Sequence, residues 1–524
     1  MVFGFNGKEA TPEIKQLIRD YHLGAIILFG RNIGTPEEVL HLTTELQMVA
    51  KEAGHKHPLL ICTDQENGAV RRLGEGTTVF PGAMLLGATN NPDNAFKVGN
   101  ATGKELKALG INWNLSPVLD VNNNAENPVI GVRSFGETPS NVSLLGQQLM
   151  KGMQDAGVIT TLKHFPGHGD TSVDSHLDLP TIEHDLERLE VTELLPFKEC
   201  INNGADTVMT AHICFPAIES QAGLPATLSK KVISGLLREK LHFDGVVTTD
   251  CMEMKAVSET FGTPKGAVEA IKAGVDLVMI SHNYTPQIRS LEAVMEAVES
   301  GEIENGVIDS ALSRITKLKE TYLNWDDIPL NEKGKVPELV GSKEHLEMVN
   351  EVYRQGVTVV KNDAGILPLS NDKASRVLMV YPENISTMVV EDKRYSTFSL
   401  GESIKEIHPS AEVVKLSNPP TEDEIQEIAK KAKQFDTVII ATLSAQKGSN
   451  QIKLVEKVFE VNKRVIVVAT RSPYDLSNLP DIPGYICTYE FTTPALRTAA
   501  EAIYGEKQVE GELPITLPNI LAQM

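Results

Sequence analysis

The stretch 163–176, KHFPGHGDTSVDSH, places Lys163, three histidines (His164, His168 and His176) and two aspartates (Asp170 and Asp174) within fourteen positions. Histidine is the side chain that gains and loses charge near neutral pH, and an aspartate close by can orient its ring, so these residue types suit acid–base work. Metal ligation is the competing chemistry. His164 and His168 have the His-x3-His spacing that puts two rings on one face of a helix. Pro166, Gly167 and Gly169 break that helix, because proline removes a backbone donor and glycine favours other geometries, so no metal site is expected. A structural turn, with Asp and His capping backbone groups, is the third reading. The polar residues are expected in a loop leaving the apolar run 158–162, where chemistry is commonly mounted.

A framework must hold that loop. Short β-rich runs at 2–5, 25–29, 59–63, 111–115, 158–163, 207–212, 245–249 and 276–280 alternate with amphipathic helical stretches. Eight such units are what a (β/α)8 TIM barrel shows, and a barrel carries its active site at the carboxyl ends of its strands. Polar residues gather at that end: Asp64 after the third run, Asp120 beyond the fourth, Lys163 and His164 closing the fifth, His212 closing the sixth, Asp250 after the seventh, Ser281 and His282 after the eighth. One cleft is expected there.

The 524 residues exceed what one barrel needs. Polar residues with two prolines fill 324–337 and read as a linker. The expected organisation is a barrel over 1–325, a linker over 326–345 and a smaller α/β domain, an αβα sandwich, over 346–524. In that domain the runs 377–381, 437–442, 465–470 and 485–488 alternate with charged helical segments such as 422–433, as in a parallel sheet. No nucleotide-binding glycine loop or internal repeat is present. Acidic residues outnumber basic ones by 70 to 49, a net charge of −21, which disfavours a nucleic-acid or anionic-membrane partner. No run of 18 uncharged apolar residues and no basic leader occurs, and five cysteines lack metal or redox spacing. Reduced thiols and a cytoplasmic location are expected, with no cofactor and a monomer or homodimer.

These residues together resemble glycoside hydrolase family 3, in particular its NagZ-type β-N-acetylglucosaminidases with an added C-terminal α/β domain. The resemblance rests on Lys-His-Phe-Pro-Gly-His-Gly-x4-Asp-Ser-His at 163–176, supported by TDQE at 63–66, SPVLDVN at 116–122, RSFG at 133–136, PATLS at 225–229 and VTTD at 247–250. It implies retaining hydrolysis of terminal β-linked N-acetylglucosamine in a small carbohydrate, from muropeptide fragments or chitooligosaccharides. Such a reaction needs a nucleophile and an acid/base on opposite faces of the sugar, with a covalent glycosyl intermediate. By similarity Asp250 is the nucleophile, His176 the acid/base and Asp174 the group that orients its ring. Asp64, Arg133, Lys163 and His164 correspond to ligands of the sugar hydroxyls, with strand-end ion pairs holding the barrel shut as the alternative for Lys163 and Arg133. His212 and Asp120 are expected behind these.

Two positions depart from the family pattern. Asn67 stands where glycine is usual, which implies a reshaped cleft or a restricted turn, and Cys251 follows the nucleophile where alanine or serine is commoner. Cys251 is expected to be reactive if exposed. Three other readings of the cleft stay open. A histidine that has given up its proton does not repel phosphate, so phosphorolysis to N-acetylglucosamine 1-phosphate is the alternative reaction. A substrate-assisted route would use the acetamido oxygen as nucleophile. A catalytically dead amino-sugar-binding protein would keep only the cleft.

Overall fold

The computed structural model describes residues 1–328, 334–370, 372, 374–383, 390, 391 and 400–518. Its first half is a closed parallel barrel of eight strands: β1 Val2–Phe3, β2 Ala25–Leu28, β3 Leu60–Thr63, β4 Trp113–Asn114, β5 Ile159–Phe165, β6 Thr207–Thr210, β7 Val246–Cys251 and β8 Leu277–Ile280. β8 returns to pair with β1, so no barrel edge is left open. Alternation along each strand sorts the side chains. Ala25, Ile27, Leu60, Cys62, Trp113, Ile159 and Met209 fill the barrel interior, whereas Ile26, Leu28, Ile61, Leu162 and Val208 pack outward in the layer shared with the helices.

Helices begin where the sequence supplies caps. Pro36–Glu52 starts behind Thr35, whose hydroxyl accepts from the Glu38 amide while the Glu38 carboxylate accepts from the Thr35 amide, satisfying donors that the first helical turn leaves unpaired. The fifth strand differs from expectation. It runs to Phe165, so Lys163 and His164 lie on the strand and only the residues from Pro166 onward form the loop. The fourth strand is two residues long, although the chain beyond it stays beside β5, with the Thr161 amide donating to the Ser116 carbonyl at 2.9 Å and Val118 bridging to Lys163.

The second half is a six-stranded sheet in the order β11-β10-β12-β13-β14-β9, built from β9 Thr358–Asn362, β10 Val377–Pro382, β11 Glu412–Leu416, β12 Thr437–Thr442, β13 Val465–Ala469 and β14 Gly484–Cys487. The five strands after β9 are parallel, in the 2-1-3-4-5 order of doubly wound sheets. Helices Leu400–Ile407 and Thr493–Ile503 pack together, as do Glu422–Ala432 and Asn450–Val461. The sheet is not wholly parallel as expected, since β9 joins β14 antiparallel. Both strands that the apolar pattern did not disclose, β9 and β11, are edge strands with mixed burial, where one face need not be apolar.

The halves share one hydrophobic cluster. Met84, Leu85, Val98 and Leu149 of the barrel helices meet Tyr353, Val357, Tyr489 and Ile503 of the second half. Buried Glu490 fixes the contact, accepting from the Gly82 amide at 2.8 Å and from the Tyr353 hydroxyl at 2.7 Å. The expected linker is docked over its described part. Trp325 donates to the His55 and Lys56 carbonyls at 3.2 Å, and Val336 and Val340 pack on the barrel; residues 329–333 of that segment lie outside the described residues. Among the described residues no helix is long and apolar enough to cross a membrane.

Candidate active site

At the carboxyl ends of the barrel strands lies a cleft of about 410 Å³, lined by Asp64, Glu66, Arg133, Lys163, His164, His176 and Asp250, with Phe29, Met254 and Met279 supplying apolar wall. Strand irregularity brings these groups in. The β5–β6 register shifts between Leu162 and Phe165, and the β7–β8 register shifts between Thr248 and Cys251. In a regular strand neighbours face opposite sides, whereas a bulge re-aims one of them. Lys163 and His164 therefore both line the cleft, as do Asp250 and Cys251.

One end of the cleft is a network of four charges. Lys163 Nζ donates to Asp64 Oδ1 at 2.7 Å and lies 2.6 Å from Glu66 Oε1. Arg133 grips Glu66 with two bonds of 2.8 Å from Nε and Nη2, the fork geometry that guanidinium and carboxylate share. Glu66, Arg133 and Lys163 are buried. Burial alone would push the Glu66 carboxyl up, but Arg133 and Lys163 outweigh it and hold Glu66 well below the usual carboxylate range. Against the opposing effect of burial, Asp64 and Glu66 raise Lys163, and Glu66 raises Arg133. Glu66, Arg133 and Lys163 are thus fixed in their charged forms and, with the Asp64 carboxyl, present strong donors and acceptors to a polar guest.

A second layer sets the rings. Asp120, fully buried, accepts from His164 Nδ1 at 2.7 Å and from the His168 amide at 2.7 Å. Burial opposes its charge, yet His164 lowers the Asp120 carboxyl below its ordinary value. With Asp120 ionised the His164 proton sits on Nδ1, and Nε2 faces Arg133 Nη2 at 3.4 Å. His168 ties down the following loop through Nδ1 to Thr171 Oγ1 at 2.8 Å and Nε2 to Ser175 Oγ at 3.0 Å. Its burial lowers its pKa to about 4, so the ring is neutral at pH 7. Gly169 lets the loop pass close to the chain after β4, since a Cβ there would sit 1.7 Å from the Val121 carbonyl oxygen.

That loop delivers Asp174 and His176. Asp174 Oδ1 accepts from both the His176 amide, at 2.9 Å, and His176 Nδ1, at 2.7 Å. Burial would raise Asp174, but these two bonds hold its carboxyl below the ordinary range, so Nδ1 carries the proton and Nε2 is the nitrogen left to exchange one. Asp250 lines the same cleft, and its Oδ1 accepts from the Cys251 amide at 2.7 Å. Burial raises its carboxyl, while His212, His164 and His176 lower it to a net value of about 2. It is therefore ionised at any ordinary pH. His212 lies behind it, bonded to Thr227 Oγ1 at 2.8 Å and to the Cys251 carbonyl oxygen at 3.1 Å, its own pKa lowered by burial.

Six of the seven sequence-derived residues thus line one cleft, Asp174 joins them through its bond to His176, and Asp120 and His212 bond to residues of the cleft wall. Of the two departures, Asn67 restricts a backbone turn, and Cys251 does not meet the condition of exposure. Asn67 adopts the left-handed conformation, φ 72°, that explains a glycine preference, and its side chain is buried against Thr102 Oγ1 and Gln65 Nε2 at 3.1 Å, away from the cleft. Cys251 is buried, which pushes its thiol up to about 12, so free thiolate chemistry is suppressed. Sequence reasoning passed over Glu66, two positions after Asp64 and quoted only as part of a motif, and His168, read only for its metal spacing. It had no signal at all for Val390 and Glu391, which come from the second half to line the cleft. Arg72 ties this wall to the barrel by donating to the Val390 carbonyl oxygen at 3.0 Å, and Glu391 pairs with Arg471.

Residues 4–318 match the glycosyl hydrolase family 3 N-terminal domain and residues 357–524 its C-terminal domain. This chain belongs to glycoside hydrolase family 3. Its barrel and αβα sandwich are the family's two-domain fold, and it is a glycoside hydrolase. Beta-hexosaminidase A of Pseudoalteromonas piscicida is 32% identical, covering 97% of this chain and 91% of its own. A family 3 beta-N-acetylglucosaminidase from Paenibacillus sp. str. FPU-7 superposes with a TM-score of 0.91 at 40% identity, covering 98% of this chain and 97% of that one. A beta-N-acetylglucosaminidase/beta-glucosidase of Cellulomonas fimi is 26% identical over 97% of this chain and 91% of its own.

Proposed function

We propose that this protein is a retaining exo-β-N-acetylglucosaminidase that releases terminal β-linked N-acetylglucosamine from muropeptide fragments or chitooligosaccharides. The observation that carries the reading is the Asp174–His176 pair at 2.7 Å, mounted on a loop of the cleft that an ionised Asp250 also lines. Relatives that act on N-acetylhexosamines support the choice of sugar.

Asp250 attacks the anomeric carbon while His176 Nε2 gives its proton to the departing oxygen, forming a glycosyl ester. Asp174 stabilises the imidazolium that precedes this transfer and fixes the ring by its grip on Nδ1. The now neutral His176 then takes a proton from water as water attacks the anomeric carbon, breaking its bond to the Asp250 carboxylate, and β-N-acetylglucosamine leaves with retained configuration. Asp64, Arg133, Lys163 and His164 bind the hydroxyls of the non-reducing sugar, and charged partners make those bonds strong and selective. Glu66 holds Arg133 and Lys163 in place. Residues 1–325 form the catalytic unit, 326–345 the connector and 346–524 the domain whose Val390 and Glu391 wall the cleft.

One NMR experiment tests the reaction: an aryl β-N-acetylglucosaminide is turned over with and without phosphate. Free sugar appearing first as the β-anomer in both is the expected result. Accumulation of N-acetylglucosamine 1-phosphate makes the enzyme a phosphorylase, which the uncharged spent His176 would permit, and no turnover leaves an amino-sugar-binding protein. A donor fluorinated at C5, which keeps the acetamido group, should leave a covalent adduct on Asp250 in mass spectra; an active enzyme with no adduct makes the acetamido oxygen the nucleophile.

A further inference from the structure

Beside Asp250 stand three ligand-type side chains that the hydrolysis does not use, two of them, Cys251 and His282, in the cleft wall. Cys251 ends β7, Glu253 follows it and His282 follows β8. Cys251 Sγ lies 3.8 Å from Glu253 Oε2 and 3.8 Å from His282 Nδ1, and the last two atoms are 3.5 Å apart. A tetrahedral ion with bonds of about 2.3 Å to sulfur and about 2.0–2.1 Å to nitrogen and oxygen spaces its ligand atoms about 3.3–3.6 Å apart. The three atoms already stand within a few tenths of an ångström of that triangle.

We propose that Cys251 Sγ, Glu253 Oε2 and His282 Nδ1 form a binding site for a thiophilic divalent cation such as Zn²⁺, and that its occupation inhibits the enzyme. Binding releases the thiol proton to solvent, so one thiolate, one carboxylate and one neutral imidazole meet a 2+ ion and the net charge of the site is zero. The surroundings hold the ligands for this. The Ser281 hydroxyl donates to Cys251 Sγ at 2.7 Å, and Glu253 is gripped by the His282 amide at 2.6 Å and by Asn283 Nδ2 at 2.7 Å; outer partners of this kind fix ligand direction. Three protein ligands leave a fourth position open to water, the ligand count of zinc sites that are not closed. Cys251 and His282 line the same cleft as Asp250, so a hydrated ion there occupies sugar space and draws the charge of Asp250 toward itself.

The test is titration of the purified full-length protein with Co²⁺ and with Zn²⁺. One equivalent of Co²⁺ should produce a thiolate-to-cobalt charge-transfer band with the intense visible bands of a tetrahedral ion, and Zn²⁺ should displace it. Both signals should vanish in Cys251→Ser, and the visible bands should change in His282→Ala and Glu253→Gln. Each variant is compared with its own metal-free rate on an aryl substrate. The Zn²⁺ concentration giving half inhibition should rise by about tenfold or more in Cys251→Ser and His282→Ala. Absence of a charge-transfer band, or its survival in Cys251→Ser, overturns the site. Inhibition that the variants leave unchanged places the ion elsewhere, for which Asp170, His184 and Glu193 are the other close cluster among the described residues. The spectra do not depend on the activity proposed above, so failure of that reading and failure of this one are distinguishable. Should Cys251→Ser not fold, judged by circular dichroism, the exposed His282 and Glu253→Gln carry the decision.

Discussion

Replacing Asp174 with asparagine keeps the shape of the side chain and removes its charge. Asp174 is buried, and its Oδ1 accepts from the His176 amide and from Nδ1 at 2.9 and 2.7 Å. A hydrogen bond to a charged partner contributes about 1.5–3 kcal/mol. If that contribution is felt where His176 carries its proton, loss of it slows proton donation by about 10- to 150-fold at 1.36 kcal/mol per tenfold. The size of the loss should depend on the leaving group. A sugar leaving group departs only with a proton, whereas dinitrophenolate departs without one. We expect kcat/KM, which reports the first bond cleavage, to fall by the full factor for a disaccharide and by less than about threefold for a dinitrophenyl glycoside. Stopped assays for the disaccharide and absorbance for the aryl substrate measure both, with circular dichroism to verify folding. An equal loss on the two substrates would refute the reasoning, because it would make Asp174 a part of the scaffold and not a partner in proton transfer.

Glu66→Gln should cost about 3–5 kcal/mol of stability in urea unfolding, since it leaves the buried Arg133 and Lys163 with too little negative charge; adding Lys163→Met should restore part of it, and a cost under about 1 kcal/mol contradicts the network. His168 ties stability to pH. Its folded pKa is about 4 against an ordinary 6.5, so the folded state binds fewer protons between those values. Its contribution is complete above pH 6.5 and is lost as pH falls toward 4, by about 3 kcal/mol. Unfolding at pH 7.5 and 4.5 should therefore show a steeper loss in the natural protein than in His168→Asn, and parallel losses would exclude His168 as the source.

Much of the molecule was legible in residue order. Eight apolar runs of strand length, the last six with a polar residue at or beyond the carboxyl end, pointed to a barrel and to the end that carries the site, because strand alternation and helix amphipathicity are local and repeat along the chain. The 163–176 stretch announced acid–base chemistry by residue type alone. The edge strands β9 and β11 escaped because a strand exposed on one side need not read as apolar.

What residue order could not convey is which charges meet. Lys163 lies about a hundred positions from Asp64 and Glu66 yet pairs with both, and only closure of the barrel fixes those distances. That Lys163 and His164 both face the cleft follows from a register shift between β5 and β6, a property of two paired strands and not of either one. The wall formed by Val390 and Glu391 exists because the second sheet packs on the barrel helices through a shared apolar cluster. Local pattern determined the elements and the kinds of chemistry available; long-range packing decided the partners, and partners set the protonation states, because charge in a buried site is governed by what lies within a few ångströms.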